Sequence, residues 1–455
     1  SVGTVEEAER VLRDYPFIQD VWVRPSVDEE GRLILAVRVQ DAWSTRVGIS
    51  FANEGGESRS RIRILEQNLF GTGSRLEWER DEDQDRTVRA FVYRDPALFG
   101  SRWRARVEHS DNTDGLERMI RVDRPFRELS DRWSFLTLLD ELEREEKVYD
   151  EGVEVDRWKL DGLEAAVSFG ASPRGLVDRR LFRWNAGVRV DRQRWRPTER
   201  GLPVNRPDLR PYERDLVLLE LGGSWRQVDY RREQHLDTAR RVQDLDMGRE
   251  FWAQLGIAAP GLSNDDGGRL EGGFRTGFEL ADDGYLLLRA SQRIESLRGG
   301  WINGVTSLRT RLYQRFEGAH TLYVGVDADY GVNLEGPRRF LLGGDTGLRG
   351  YESRAFTGDR QLLAVVEHRD FANWELWSLF RIGFATFFEI GGAWGEEDSF
   401  GLDRLHPDVG FGLRALLIPS ADGTTAHLNV AFPLDAAGGA DPGSPRFSFT
   451  TVTGF

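Results

Sequence analysis

Residues 380–394 read Phe-Arg-Ile-Gly-Phe-Ala-Thr-Phe-Phe-Glu-Ile-Gly-Gly-Ala-Trp. Counted in twos, Phe380, Ile382, Phe384, Phe388, Ile390 and Trp394 share one face, opposite Arg381, Gly383, Glu389 and Gly391. A period of two is the strand pattern. The run is longer than the usual strand of ~5–6 residues, and a strand of ~10 residues or more crosses a bilayer when tilted by ~45°. Its apolar face ends in a tryptophan, as the interfacial girdles of membrane barrels do.

The same alternation extends in both directions from this stretch. In 319–331, His320, Leu322, Val324, Val326, Ala328 and Tyr330 oppose Thr321, Tyr323, Gly325, Asp327 and Asp329. In 101–110, Trp103, Ala105 and Val107 oppose Arg102, Arg104, Arg106 and Glu108. In 181–192, Phe182, Trp184, Ala186, Val188 and Val190 oppose Arg183, Asn185, Arg189 and Asp191. A soluble sandwich also alternates, but with shorter strands. From residue 42 to the end there are about twenty strand candidates, from 43–53 to 446–455. Tight connections such as 95–100 alternate with generous ones at 197–212, 332–359 and 395–406. Short turns at one end and long loops at the other mark a barrel. The long connection at 233–248 is the exception, falling at the short-turn end.

Composition sets outer limits. The chain has 455 residues, a net charge of −14 and no cysteine. Disulfides and Cys-based zinc sites are therefore excluded, and the acidic balance argues against a nucleic-acid partner. All but two of the basic residues are Arg, the exceptions being Lys147 and Lys159. The mean hydropathy is −0.50, and no apolar run approaches the ~18 residues of a membrane helix. No secretory signal opens the chain at Ser1, so the protein is cytoplasmic or has had a signal removed. Inward residues such as Arg102, Arg104, Arg106, Glu117, Arg121 and Asp123 read as a hydrogen-bonded lumen lattice, with a selectivity filter as the alternative.

The first forty residues differ. Residues 4–18 read as an amphipathic helix with Thr4 as N-cap, followed by strands at 20–24 and 32–40 around the turn Asp28-Glu29-Glu30-Gly31. This α+β unit is too small to bury much core alone.

Residues 338–351 read Arg-Arg-Phe-Leu-Leu-Gly-Gly-Asp-Thr-Gly-Leu-Arg-Gly-Tyr. The segment resembles the signature loop of the outer membrane protein 85 superfamily, also called the bacterial surface antigen family. Gly343 and Gly344 match its double glycine. Leu348, Arg349, Gly350 and Tyr351 match its valine-arginine-glycine-aromatic run, with Leu in place of Val. In that family the loop folds back into the barrel, and its arginine pairs with the acid of a Phe-x-Asp-x-Gly strand. Phe387, Glu389 and Gly391 stand in that pattern, with Glu in place of Asp. The turns 68–73 and 95–100 and the terminal aromatic Phe455, read as an assembly signal, also resemble the family.

The resemblance implies an all-β, transmembrane, antiparallel up-and-down barrel over 42–455. It implies that residues 1–41 are the C-terminal part of a periplasmic POTRA domain. Family barrels have sixteen strands, fewer than the tally here. The implied function is assembly or translocation of polypeptides in the bacterial outer membrane, through a seam between the first and last strands. The implied partners are lipopolysaccharide and phospholipid, client polypeptides, and periplasmic or lipoprotein partners at the POTRA segment. A two-partner-secretion exporter or a passive outer-membrane pore is the alternative.

No cofactor or metal is indicated, since none of the six histidines sits in a His-x-Glu or HExxH spacing. There is no Gly-x-Ser-x-Gly elbow, and the chain is not read as an enzyme, although a Ser and a His on neighbouring strands would escape this reading. The spaced glycines 343, 344, 347 and 350 lack the Lys-Ser/Thr and helix of a phosphate loop.

Overall fold

The computed structural model describes residues 18–28, 30–41, 44–198, 210–233, 243–280, 283–316, 319–377, 379–417 and 425–452, with Val5, Glu9 and Leu12 before them. Of the helix expected over 4–18, these last three residues are described, and they are helical. The strands Ile18–Val27 and Leu33–Asp41 pair antiparallel as a separate two-stranded sheet. The turn between them is closed by Asp28, whose carboxylate accepts the backbone N–H of Glu30 at 3.1 Å and of Arg32 at 2.8 Å.

From Thr45 onward the chain forms one closed barrel of twenty antiparallel strands, from Thr45–Glu54 to Arg446–Val452. Each strand pairs with the next barrel strand in the chain, so the topology is up-and-down. The sixteen strands implied by the resemblance do not hold. Val153–Ala171, Arg180–Pro197, Gly284–Leu297 and Gly300–Arg315, the segments that exceeded the family number, are all full members of the wall. Long unbroken alternation lets each of them match both neighbours in register, which a strand buried in an extracellular loop could not do.

The pleat sorts the side chains by face. Val47, Ile49, Ile64, Phe91, Ile120, Val188, Leu219, Leu255 and Phe411 stand exposed on the outer wall. Charged residues face inward and pair across strands. Arg311 meets Asp327 at 2.6 Å, Arg309 meets Asp329 at 2.8 Å, and Arg104 meets Asp123 at 2.6 Å. A closed barrel pairs its strands with one another rather than with water, and apolar side chains outside match lipid, so this is a transmembrane barrel.

The two ends of the wall differ. The near end is where the chain enters at Thr45. There an aromatic row runs from Trp103 to Trp133 at 6.1 Å, on to Phe169 at 6.4 Å, and to Trp184 at 6.2 Å. The turn at this end after Gln227 is the long exception, and it contains its own hairpin, Tyr230–Glu233 paired with Gln243–Asp246. The far end carries the hairpins at Gly55 and Asp85 and the connection 333–359.

Candidate functional site

The connection 333–359 joins the strands His320–Val332 and Arg360–Leu376 at the far end. It packs against the barrel rather than standing clear of it. Its own two-stranded clip, Phe340–Leu342 with Phe356–Gly358, closes the base. Leu342, Leu348, Tyr351, Ala355 and Phe356 are buried together with Ala440 from the connection before the last strand. Burying about five such side chains seats a glycine-rich segment whose own regular pairing is confined to that short clip.

Arg349 sits at the tip of this segment. Its Nη2 lies 2.8 Å from Glu389 Oε1 and 3.0 Å from Glu367 Oε2. Its backbone N–H donates to Glu389 Oε2 at 2.8 Å, and its guanidinium lies 3.5 Å from the centre of the Phe387 ring. Glu389 and Phe387 both point inward from Phe380–Trp394, at the parity that alternation assigns to Glu389. Glu367 is held in turn by Arg369 at 2.9 Å, and Arg414 stands 3.7 Å away. The buried charges are thus paired and hydrogen-bonded, the condition under which burial is tolerated.

The following residues fasten the loop to other strands. The Gly350 N–H donates to Asp408 Oδ2 at 2.9 Å. A Cβ at Gly350 would lie 2.7 Å from that of Asp408 and 3.0 Å from the Pro433 nitrogen, so only glycine allows this approach. The Tyr351 hydroxyl has two acceptors for its one proton, Asp435 at 2.7 Å and the Pro407 carbonyl at 2.9 Å. Burial and the Asp435 contact push that phenol above its ordinary pKa. Phe356 stacks on His406 at 4.4 Å, and His406 holds Asp435 at 2.9 Å.

Two adjacent residues then reach the two sides of the seam. Glu352 pairs with Arg446 of the last strand at 3.0 Å. Ser353 donates its N–H to the Gly55 carbonyl at 3.0 Å and its hydroxyl to the Glu54 carbonyl at 3.1 Å, both in the first hairpin. Arg354 continues to Asp85 at 2.6 Å, where Lys147 at 2.8 Å and the Tyr149 hydroxyl at 2.6 Å also converge. Burial pushes the Asp85 carboxyl up, but the bonds from Lys147, Tyr149 and Arg354 outweigh it and hold the pKa at about 2.

The seam beneath these contacts is thin. The last strand matches the first at a single position among the described residues, Phe449 opposite Asn53. On its other side it matches the strand Thr425–Pro433 continuously from Arg446 to Val452.

Of the residues singled out in the sequence, Arg349 meets the strand of Phe387 and Glu389 directly, Gly350 and Tyr351 reach Asp408 and Pro407 on the strand beside it, and Leu348 is buried in the loop's apolar cluster. Gly343 and Gly344 lie in the same loop with φ of +131° and +59°, against Glu352, Ser353 and Gly55. Gly391 lies opposite Leu363, which packs onto the loop's apolar cluster. Phe455 lies outside the described residues. Sequence reasoning did not single out Glu367, Asp408, Asp435 or Asp85. The signal for Glu367 was present, because it shares the inward parity of Arg369 on the strand facing Glu389. Asp85 and Asp435 lie in connections, where no periodicity points a side chain anywhere.

No family model matches the chain, and no curated protein matches it. Among solved structures, it is similar to BamA from Haemophilus ducreyi lacking POTRA domains 1-3, at 12% identity and a TM-score of 0.45, over 99% of this chain and 79% of that one. It is similar to CdiB from Acinetobacter baumannii at 11% identity and a TM-score of 0.45, over 95% of this chain and 64% of that one. CdiB from Escherichia coli follows at 11% identity and a TM-score of 0.46, over 99% and 69%. These likenesses say what the chain is similar to, while the barrel itself rests on its own strand pairing.

Proposed function

We propose that this chain is a bacterial outer-membrane barrel that inserts or translocates polypeptides through the seam between its first and last strands, as the outer membrane protein 85 superfamily does. In this reading residues 1–41 belong to a periplasmic POTRA domain, lipopolysaccharide and phospholipid surround the wall, and the clients are unfolded polypeptides. The 333–359 loop acts as a latch rather than a catalyst.

The observation that carries the reading is the seam, matched at Phe449 and Asn53 alone among the described residues. Unpaired backbone groups facing lipid are expensive. A strand edge in that state templates an incoming strand by β-augmentation. The first strand, Thr45–Glu54, offers such an edge below Asn53. Glu352 and Ser353 span the seam at its far end, so release of the loop and opening of the seam are coupled through two neighbouring residues.

A photo-crosslinking residue at Val47 in living cells tests this. Adducts with newly made outer-membrane proteins are expected. Absence of adducts, together with a large steady conductance of the purified barrel in planar bilayers, would replace the reading with that of a pore.

A further inference from the structure

The strand register aligns four arginines at one level of the near-end lumen. Arg75 stands opposite Arg94, Arg94 opposite Arg106, and Arg106 opposite Arg121. Directly opposed like charges destabilise a sheet, and the chain as a whole is acidic, at −14. General basicity therefore does not explain the row.

Three of the four arginines are compensated by a carboxylate two residues along their own strand. Arg75 pairs with Glu77 at 2.7 Å, Arg106 pairs with Glu108, and Arg121 meets Asp123 at 3.3 Å. Arg94 is different. The position at the same level as Glu77 and Glu108 is Val92, which lies between them in register. Among the described residues the Arg94 guanidinium has no ion pair, and the buried Nε atoms of its neighbours Arg75 and Arg106 have no hydrogen-bond partner. These groups line a cavity of about 450 Å³ that also takes in Arg104 and Asp123.

We propose that this cavity is an oxyanion site centred on Arg94 that takes a phosphate group, either free or carried on a small molecule. Neighbouring guanidiniums on paired strands stand ~5 Å apart at their Cβ atoms, within reach of different oxygens of one tetrahedral anion. Guanidinium forks bind phosphate oxygens in pairs. A phosphate would supply the charge that Val92 withholds. The site lies at the other end of the barrel from the 333–359 loop, so it adds a ligand to the lumen independently of that loop.

Isothermal titration of the whole folded barrel in detergent with inorganic phosphate tests the proposal, with band-shift electrophoresis confirming that each variant is folded. Saturable binding is expected, weakened at least about tenfold in Arg94→Gln. Arg118→Gln removes an equal charge from an exposed position and is expected to leave binding unchanged. Glycerol phosphate in place of phosphate separates the two sources: equal or tighter binding points to phosphate on a larger molecule, and binding of phosphate alone points to the free ion. No saturable binding to the folded wild type, unchanged affinity in Arg94→Gln, or equal displacement by chloride would overturn the site.

Discussion

At the scale of single residues the account turns on Arg349. Its guanidinium is shared between Glu389 and Glu367, and its ring contact with Phe387 fills the remaining face. Arg349→Ala leaves the buried Glu389 carboxylate without its cation, while Glu367 keeps Arg369, and stranding a buried charge in this way costs about 3–5 kcal/mol. The expected outcome is a loop cut by protease at positions protected in the wild type, with the wall still migrating as a folded barrel when unheated. Arg349→Lys keeps the charge but loses the planar fork, so its protection is expected to fall between the two. Unchanged protection in the alanine variant would remove Arg349 as the anchor. The inward parity of Glu389 was legible from alternation alone, because a two-residue period fixes the face of every residue on a strand. Glu367 was equally placed by parity, but nothing local in the sequence says which of many inward carboxylates a distant arginine will reach.

At the scale of elements the 333–359 loop is a chain of fastenings. Its glycines and its Arg-Gly-Tyr run were legible through the family resemblance, and the structure supplies a physical reason for one of them, since Gly350 approaches Asp408 too closely for a Cβ. The partners were not legible, since Arg354 meets Asp85 across most of the chain. That last fastening has a defined acid limit. The Asp85 carboxyl titrates at about 2 in the folded protein, below its ordinary 3.8. A depressed carboxyl stabilises fully above its unfolded pKa and loses that contribution as pH falls through the folded one. Protease protection around Arg354 is therefore expected to hold from neutrality down to about pH 4 and to fail towards pH 2. Asp85→Asn is expected to weaken protection at neutral pH and flatten the acid response, and an acid response identical to wild type would place its origin elsewhere.

At the scale of the whole molecule, a mean hydropathy of −0.50 is the average of two faces, apolar outside and Arg/Asp/Glu-rich inside. Strand number was legible in the same way: twenty alternating runs give a wall of twenty strands, and the smaller family number did not constrain this chain. The long near-end connection was visible by length, but its inner hairpin was not, because four-residue strands are too short for a period to show. A weak last strand was an expectation of the sequence, but the register of the seam was not legible, since pairing between the two termini depends on how the whole wall closes.

That seam is the centre of the account, and the chain's lack of cysteine makes it directly testable. Asn53→Cys together with Phe449→Cys places a thiol on each side of the one position matched among the described residues. In cells that depend on this protein, oxidation of the pair is expected to stop the appearance of other outer-membrane proteins, and reduction to restore it, with each single variant unaffected. Normal levels of those proteins with the seam fully cross-linked would contradict a mechanism that works by opening it.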